Sequence, residues 1–220
     1  MSTQTADYLD AIDHLPVGAT LRLRHIGWDE YERILKELTA ERVRVRVSYE
    51  EGRLEIMSPL PEHEEYKGFI LRLAHVLSEE LGISLETRGS ATYKRERKAR
   101  GAEPDESFYV HNAASVIGKR EIDLDVDPPP DIVVEIDLTH ESLIKFPIYA
   151  ALGVPEIWRY TGELAQVYGL SGEAYSETSA SRFFPLVTGE VLAEFIEQSK
   201  QQGQSAALAA FRQWVRARQL

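Results

Sequence analysis

The chain has 220 residues, 43% of them hydrophobic, which is enough for one domain with a core of its own over 1–220. A formal charge of −11 argues against indiscriminate wrapping of nucleic acid but leaves room for a local basic groove, and the lack of cysteine excludes disulfides, thiolate metal sites and cysteine nucleophiles. The opening MSTQTADYLD lacks the basic flank and apolar stretch of a signal peptide, and no apolar run approaches the ~20 residues that span a bilayer, so a soluble, cytoplasmic protein is expected.

In chain order, ATLRLRHI reads as a strand and GWDEYERILKELTAER as a helix with Trp28, Tyr31, Ile34, Leu35 and Leu38 on its inner side. VRVRVSYEEGRLEIMSP alternates on both arms around Gly52, the pattern of a hairpin. At its start Arg42, Arg44 and Arg46 alternate with Val43, Val45 and Val47 and line one face of the expected strand. After Pro61 comes the clearest helix, with Tyr66, Phe69, Ile70, Leu73, Leu77 and Leu81 at three- and four-residue steps before Gly82. ISLETRGSATYKR and ESFYV read as strands, and the β-branched run in DIVVEIDL suits a buried central strand. A helix over FPIYAAL stops at Gly153, EIWRY and ELAQVYGL form a second hairpin, and residues 188–220 read as a helical extension. The order describes an α/β protein with a mixed β-sheet flanked by helices, an N-terminal strand and helix added in front, and a C-terminal helical tail.

The carboxylates on this frame are informative. Asp105 opens one strand and Glu135 lies within the next, with DPPPD as the turn between them; if the strands are neighbours, both acids converge and offer oxygen ligands to a hard cation such as Mg2+. Asp137 shares the side-chain parity of Glu135 and points to the same face. Burying such acids is costly without a cation or a proton. Lys145, ten positions after Glu135, is either a salt-bridge partner or a group that orients water and offsets charge on a phosphate. Three acids opposed by one lysine leave about two net negative charges, so at least one acid should titrate above ~4. Each residue also has a plain structural reading, as a strand-opening Asp or a salt-bridged Glu.

Other motifs fail on spacing. HEEYK has Lys67 where a zinc-protease helix needs its second histidine, DLDVDPPPD has Pro128 at the glycine position of a calcium loop, and GLSGE lacks the second glycine of a nucleophile elbow. His14, His25, His75, His111 and His140 have no ligand spacing and read as structural or surface residues. Trp158 and Tyr160 read as core or sheet residues and not as base-stacking platforms.

EPDESFYV, DPPPDIVVEID, ESLIKFPIYAALGVPEIWRY and MSPLPEHEEYKG together resemble successive motifs of the "putative restriction endonuclease" family in the PD-(D/E)XK nuclease superfamily, over residues 45–170. The resemblance implies a restriction-endonuclease-like fold, a metal-dependent DNA endonuclease, Asp105 and Glu135 as ligands of Mg2+ or Mn2+, and DNA as partner. It also implies that the superfamily's lysine, normally two residues after the second acid, is replaced here by Asp137 and has moved to Lys145. Asp137→Lys is then expected to restore the usual arrangement. Glu62 and His63 match a further family pair, where the acid would reach the metal through water. On this reading the metal activates water and stabilises the phosphorus centre, Lys145 positions the nucleophile, and the run Lys94, Arg95, Arg97, Lys98 and Arg100 faces the phosphate backbone. Alternatives are an inactive or repurposed nucleic-acid-binding module and an oligomeric scaffold. A homodimer is expected through the aromatic tail with Phe211 and Trp214 and the open strand edges.

Overall fold

The computed structural model describes residues 3–138 and 145–219, with side chains from residue 8 onward. It begins with α1 (Thr3–Asp13), a helix for which the sequence reading has no counterpart, and β1 (Thr20–Arg24). In α2 (Trp28–Glu41) the buried residues are Tyr31, Ile34, Leu35 and Leu38, the expected stripe. Arg42 ends this helix in left-handed backbone, φ 57°, with its N–H turned back onto the carbonyls of Leu38 and Thr39. That cap overturns the expected strand face through Arg42, Arg44 and Arg46. The chain must first leave the helix, so β2 (Arg46–Glu50) starts only at Arg46, which is buried, while Arg42 and Arg44 are exposed.

β2 and β3 (Arg53–Met57) form the expected hairpin, and α3 (Pro61–Leu81) runs from Pro61 to the left-handed Gly82. The strand expected over ISLETRGSATYKR is instead two short pieces, β4 (Glu86–Thr87) and β5 (Tyr93–Arg95), which join different sheets because Gly89, at φ 56°, turns the chain between them. A single 3-10 turn (Glu96–Lys98) leads to β6 (Arg100–Ala102) and then β7 (Glu106–Tyr109). The chain continues through a short α4 (Ala113–Val116), β8 (Ile132–Ile136), α5 (Phe146–Leu152) and β9 (Glu156–Tyr160). β10 (Ala165–Ser171), β11 (Ala174–Thr178), α6 (Gly189–Gln202) and α7 (Gln204–Arg216) complete it.

The strands form two sheets where one was expected. The first, β1-β3-β2-β6-β5, is antiparallel at every neighbour. The second, β11-β10-β9-β8-β7-β4, is mixed, since β8 and β9 run parallel across the crossover that contains α5. Phe108, Val134 and Trp158 on one face of the second sheet pack under α3, α6 and α7, while Tyr109, Val133 and Ile157 on the other face meet α5 through Ile148, Tyr149 and Leu152. A separate core joins α2 to the first sheet through Tyr31, Ile34, Val47 and Leu54.

Trp158 and Tyr160 are buried, as their alternation implies, and His14, His25, His75 and His111 are exposed; His140 lies outside the described residues. Of the aromatic tail expected to pair copies, Phe211 is taken up by the chain's own core and Trp214 is partly exposed. Phe211 is fully buried, stacked on Trp214 at 5.7 Å and set edge-on to Phe195 at 4.8 Å, and Arg216 ties α7 to Glu80 of α3 at 2.7 Å. This leaves edge strands such as β11 for any pairing between copies.

Two glycines test this packing in opposite directions. Gly68 sits inside α3 with open space around a would-be Cβ, so Gly68→Ala should stabilise the protein by about 0.5–1 kcal/mol. Gly189 opens α6 against β10, where a Cβ would meet the carbonyl oxygen of Ala165, so Gly189→Ala should cost about 1–3 kcal/mol. Denaturant titration of both variants checks the pair, and equal midpoints would contradict it.

Candidate active site

β7 and β8 are antiparallel neighbours, with Glu106 opposite Val134 and Ser107 opposite Val133. One further step in that register sets Asp105 across from Glu135. Directly opposed residues share a face, with Cα atoms about 4.5–5.5 Å apart. The expectation that the two acids converge is therefore met at the level of the strands. The face they share is the one covered by α5.

Asp105 is almost fully buried. Its backbone N–H donates to Val134 O at 3.1 Å, and its Oδ2 accepts the N–H of Ile136 at 2.8 Å, which locks the carboxylate onto β8. Its Oδ1 is buried without a hydrogen bond and has Arg46 Nε at 3.4 Å. Glu135 is equally buried, within an otherwise apolar strand. Its Oε2 accepts from Lys145 Nζ at 2.9 Å and its Oε1 accepts from the Tyr149 hydroxyl. Lys145 and Tyr149 stand four residues apart at the start of α5, one helical turn, so a single face of the helix presents both donors to one carboxylate. Lys145 Nζ also lies 3.4 Å from the carbonyl oxygen of Glu103.

Burial pushes the Glu135 carboxyl up to about 7, and the Asp105 charge adds to the rise, against the pull of Lys145 and Tyr149. Burial by itself would lower the Lys145 pKa, but the Glu135 and Asp105 carboxylates outweigh it and hold it above the ordinary lysine value. Tyr149 is driven well above the tyrosine range by burial and by Glu135. An acid titrating above its reference value agrees with expectation, but the leading cause is desolvation and not an excess of negative charge. Three cations face the three acids. Arg46 approaches Asp105, Lys145 holds Glu135, and Arg159 of β9 donates through Nε to Asp137 Oδ2 at 3.0 Å. Arg159 is the residue in register with Glu135 on the parallel neighbour, which is why its guanidinium reaches the acid two positions on.

Other expected site residues lie elsewhere. Glu62 is exposed at the start of α3, and His63 Nδ1 accepts the N–H of Leu60 at 3.1 Å, where it serves as a cap of that helix. The acid of α3 that connects to the site is Glu64, which accepts from Arg46 at 3.1 Å and pairs with Lys67 at 2.9 Å. Burial alone would raise Glu64, yet Lys67 and Arg46 together hold it below the usual range. The basic run does not face outward as a unit: Lys94 pairs with Glu32 at 2.5 Å, Arg97 with Asp125 at 3.4 Å and Arg100 with Glu50 and Glu51, while Arg95 donates to Leu124 O at 2.6 Å. Lys98 alone of the five is exposed without such a pair among the described residues. Sequence reasoning missed Arg46, Tyr149 and Arg159 as neighbours of the acids. Only Tyr149 carried a local signal, its spacing of four from Lys145.

A family model described as "Putative restriction endonuclease" (Uma2) matches residues 28–209, and the chain belongs to that family. Among solved structures, one described as "a putative nuclease belonging to DUF820" from Anabaena variabilis is similar at 15% identity and a TM-score of 0.47, over 67% of this chain and 89% of that one. No curated protein matches the chain.

The pH dependence of Glu135 follows from its raised pKa. A carboxyl protonated up to about 7 in the folded chain but only to 4.5 unfolded contributes stability below 4.5 that is lost as the pH rises to about 7. In chelator, the melting temperature of Glu135→Gln should therefore rise relative to that of the native protein between pH 5 and 8 (roughly the window of that titration). Parallel curves would remove the assignment. Asp137→Lys is expected to destabilise by about 3–5 kcal/mol and not to restore a superfamily arrangement, because it sets a second cation against buried Arg159. Chemical denaturation reads that loss directly, and a native-like midpoint would refute it.

Proposed function

We propose that the protein is a metal-dependent nuclease that hydrolyses phosphodiester bonds in DNA, with Mg2+ or Mn2+ held by Asp105 and Glu135. The observation that carries this reading is the buried Oδ1 of Asp105, which has no hydrogen bond and lies across the strand pair from the Glu135 carboxylate and its lysine. Membership of a restriction endonuclease family supports a nucleic-acid substrate.

The residues fit the metal. Among the described residues no three or more His, Asp or Glu gather as an ion site, and Mg2+ needs no such cluster, because it keeps several waters and takes one or two carboxylates with substrate phosphate oxygens. An all-oxygen donor set also suits Mg2+ or Mn2+ better than Zn2+. When bound, the ion supplies an acidified water and neutralises charge at phosphorus. The chain's own groups supply position. The Ile136 N–H fixes one oxygen of Asp105 so that the other faces the site. Tyr149 clamps Glu135, and Lys145 Nζ, beside that carboxylate, orients the attacking water and offsets charge on the phosphate. Arg159 neutralises Asp137, so the acid at the superfamily's lysine position adds no repulsion for an anionic substrate.

One observation favours a second reading, a nucleic-acid-binding module without hydrolysis: both oxygens of Glu135 already accept a hydrogen bond, from Lys145 and from Tyr149, so an ion has to share an oxygen with one of these donors or displace it. For an oligomeric scaffold, Phe211 of the helical tail is part of the core and offers no pairing surface.

Nicking of plasmid and cutting of single strands, assayed with Mg2+, Mn2+ or chelator, separates these readings. Metal-dependent cleavage is expected in the native protein, falling to background in Asp105→Ala and by about 10²–10³-fold in Lys145→Ala. Equal cleavage by the native protein and Asp105→Ala would assign the activity to a contaminant. Metal-dependent DNA binding without cleavage would establish the second reading.

A further inference from the structure

Among the described residues, the charged pair in which both facing atoms are buried and lack a hydrogen bond lies where the two sheets meet. Arg46, from β2 of the first sheet, is 9% exposed, and its Nε is buried without a hydrogen bond, 3.4 Å from the equally orphaned Oδ1 of Asp105. A guanidinium and a carboxylate that are free to close do so at about 2.7–2.9 Å, often with two parallel bonds. This pair stands apart because the rest of the guanidinium is anchored elsewhere, Nη1 on the Val45 carbonyl at 3.3 Å and Nη2 on Glu64 at 3.1 Å. Glu64 is half-exposed and shared with Lys67, so that anchor sits at the solvent edge. On its other side Arg46 lines a cleft of about 220 Å³ with Arg42, Thr39, Ser90 and Glu103.

We propose that Arg46 is a positioning residue with two successive partners: it compensates Asp105 while no divalent ion is present, and it turns its guanidinium to a phosphate of the nucleic-acid chain in the cleft once an ion has taken Oδ1. The proposal rests on the function argued above. Its physical basis is that Oδ1 cannot serve two cations at close range, because their repulsion in a buried site is large. Arg46 and the ion therefore compete for one oxygen. The displaced guanidinium needs an anion, and its planar fork matches phosphate oxygens. Exposed Arg42 on the same cleft would extend the track for the chain.

The competition gives the test a sign that a structural role does not. Mn2+ affinity is measured by calorimetry, and binding of a labelled DNA duplex in Ca2+ by fluorescence anisotropy, for the native protein, Arg46→Met, Arg46→Lys and Asp105→Ala. Arg46→Met keeps an unbranched stem without charge; with no guanidinium competing for Oδ1 it should bind Mn2+ about tenfold more tightly and the duplex about tenfold more weakly. Arg46→Lys keeps the charge and loses the fork, so Mn2+ affinity should stay near native while duplex binding falls. That variant carries the test alone should Arg46→Met fail to melt cooperatively. Mn2+ binding that depends on Asp105 but is unchanged or weakened in Arg46→Met would overturn this inference and leave the function standing. Duplex binding by Arg46→Lys equal to native would do the same. Native protein that takes up no Mn2+ would overturn both.

Discussion

The carboxylate of Glu135 is the constraint around which the second sheet is organised. It is the fourth residue of a five-residue strand that is buried throughout, where an isolated ionised acid would cost several kcal/mol. The protein meets that cost with two donors from one turn of α5, and this ties the helix's rotation and its distance from the sheet to a single side chain. The crossover from β8 to β9 must then return over this face, which makes the two strands parallel and brings Arg159 into register beside Glu135. Arg159 in turn balances Asp137. The cluster is thus a set of mutual obligations among α5, β8 and β9.

Asp105 completes the arrangement from the other neighbour. Its Oδ2 is used to continue the β7–β8 ladder through Ile136, which leaves Oδ1, among the described residues, as the one acidic oxygen of the cluster that is both buried and unbonded. The nearest cation to it comes from a different sheet, so the site is a junction and its integrity depends on how the sheets meet. The chain as a whole carries a formal charge of −11, and long-range attraction for an anionic polymer is absent. Binding such a polymer would have to rely on local cations. Most of the basic run around β5 and β6 is already paired with nearby acids, whereas Arg42 is exposed on the cleft that Arg46 lines.

Local patterns were legible where a single element decides the outcome. The apolar spacing of α3, the left-handed glycines after α3 and α5, the two hairpins and the β-branched run of β8 all came through, because helix and strand periodicity are properties of adjacent residues. Arg42, Arg44 and Arg46 were misread because alternation alone cannot reveal that Arg42 adopts a left-handed cap. The split of ISLETRGSATYKR between two sheets was hidden for a similar reason, since strand propensity carries no information about which neighbour a strand will find.

For the site, the sequence alone determined the side of the chain to which each acid points, and the pairing of β7 with β8 decided that Asp105 and Glu135 face each other. DPPPD is not by itself the expected turn, since the connection from β7 to β8 also contains α4, but parity along an extended chain still fixes the side to which each acid points. The spacing of Lys145 and Tyr149 likewise set them on one helical face. Only the tertiary structure decided what surrounds those acids. Arg46 lies 59 residues before Asp105 and Arg159 22 residues after Asp137, so neither pairing has a local signature. It also decided that Glu64, and not Glu62, reaches toward the site and that Phe211 belongs to the core. The physical reason is the same in each case: side-chain direction follows from local backbone geometry, but the partner met in that direction depends on how separate elements pack.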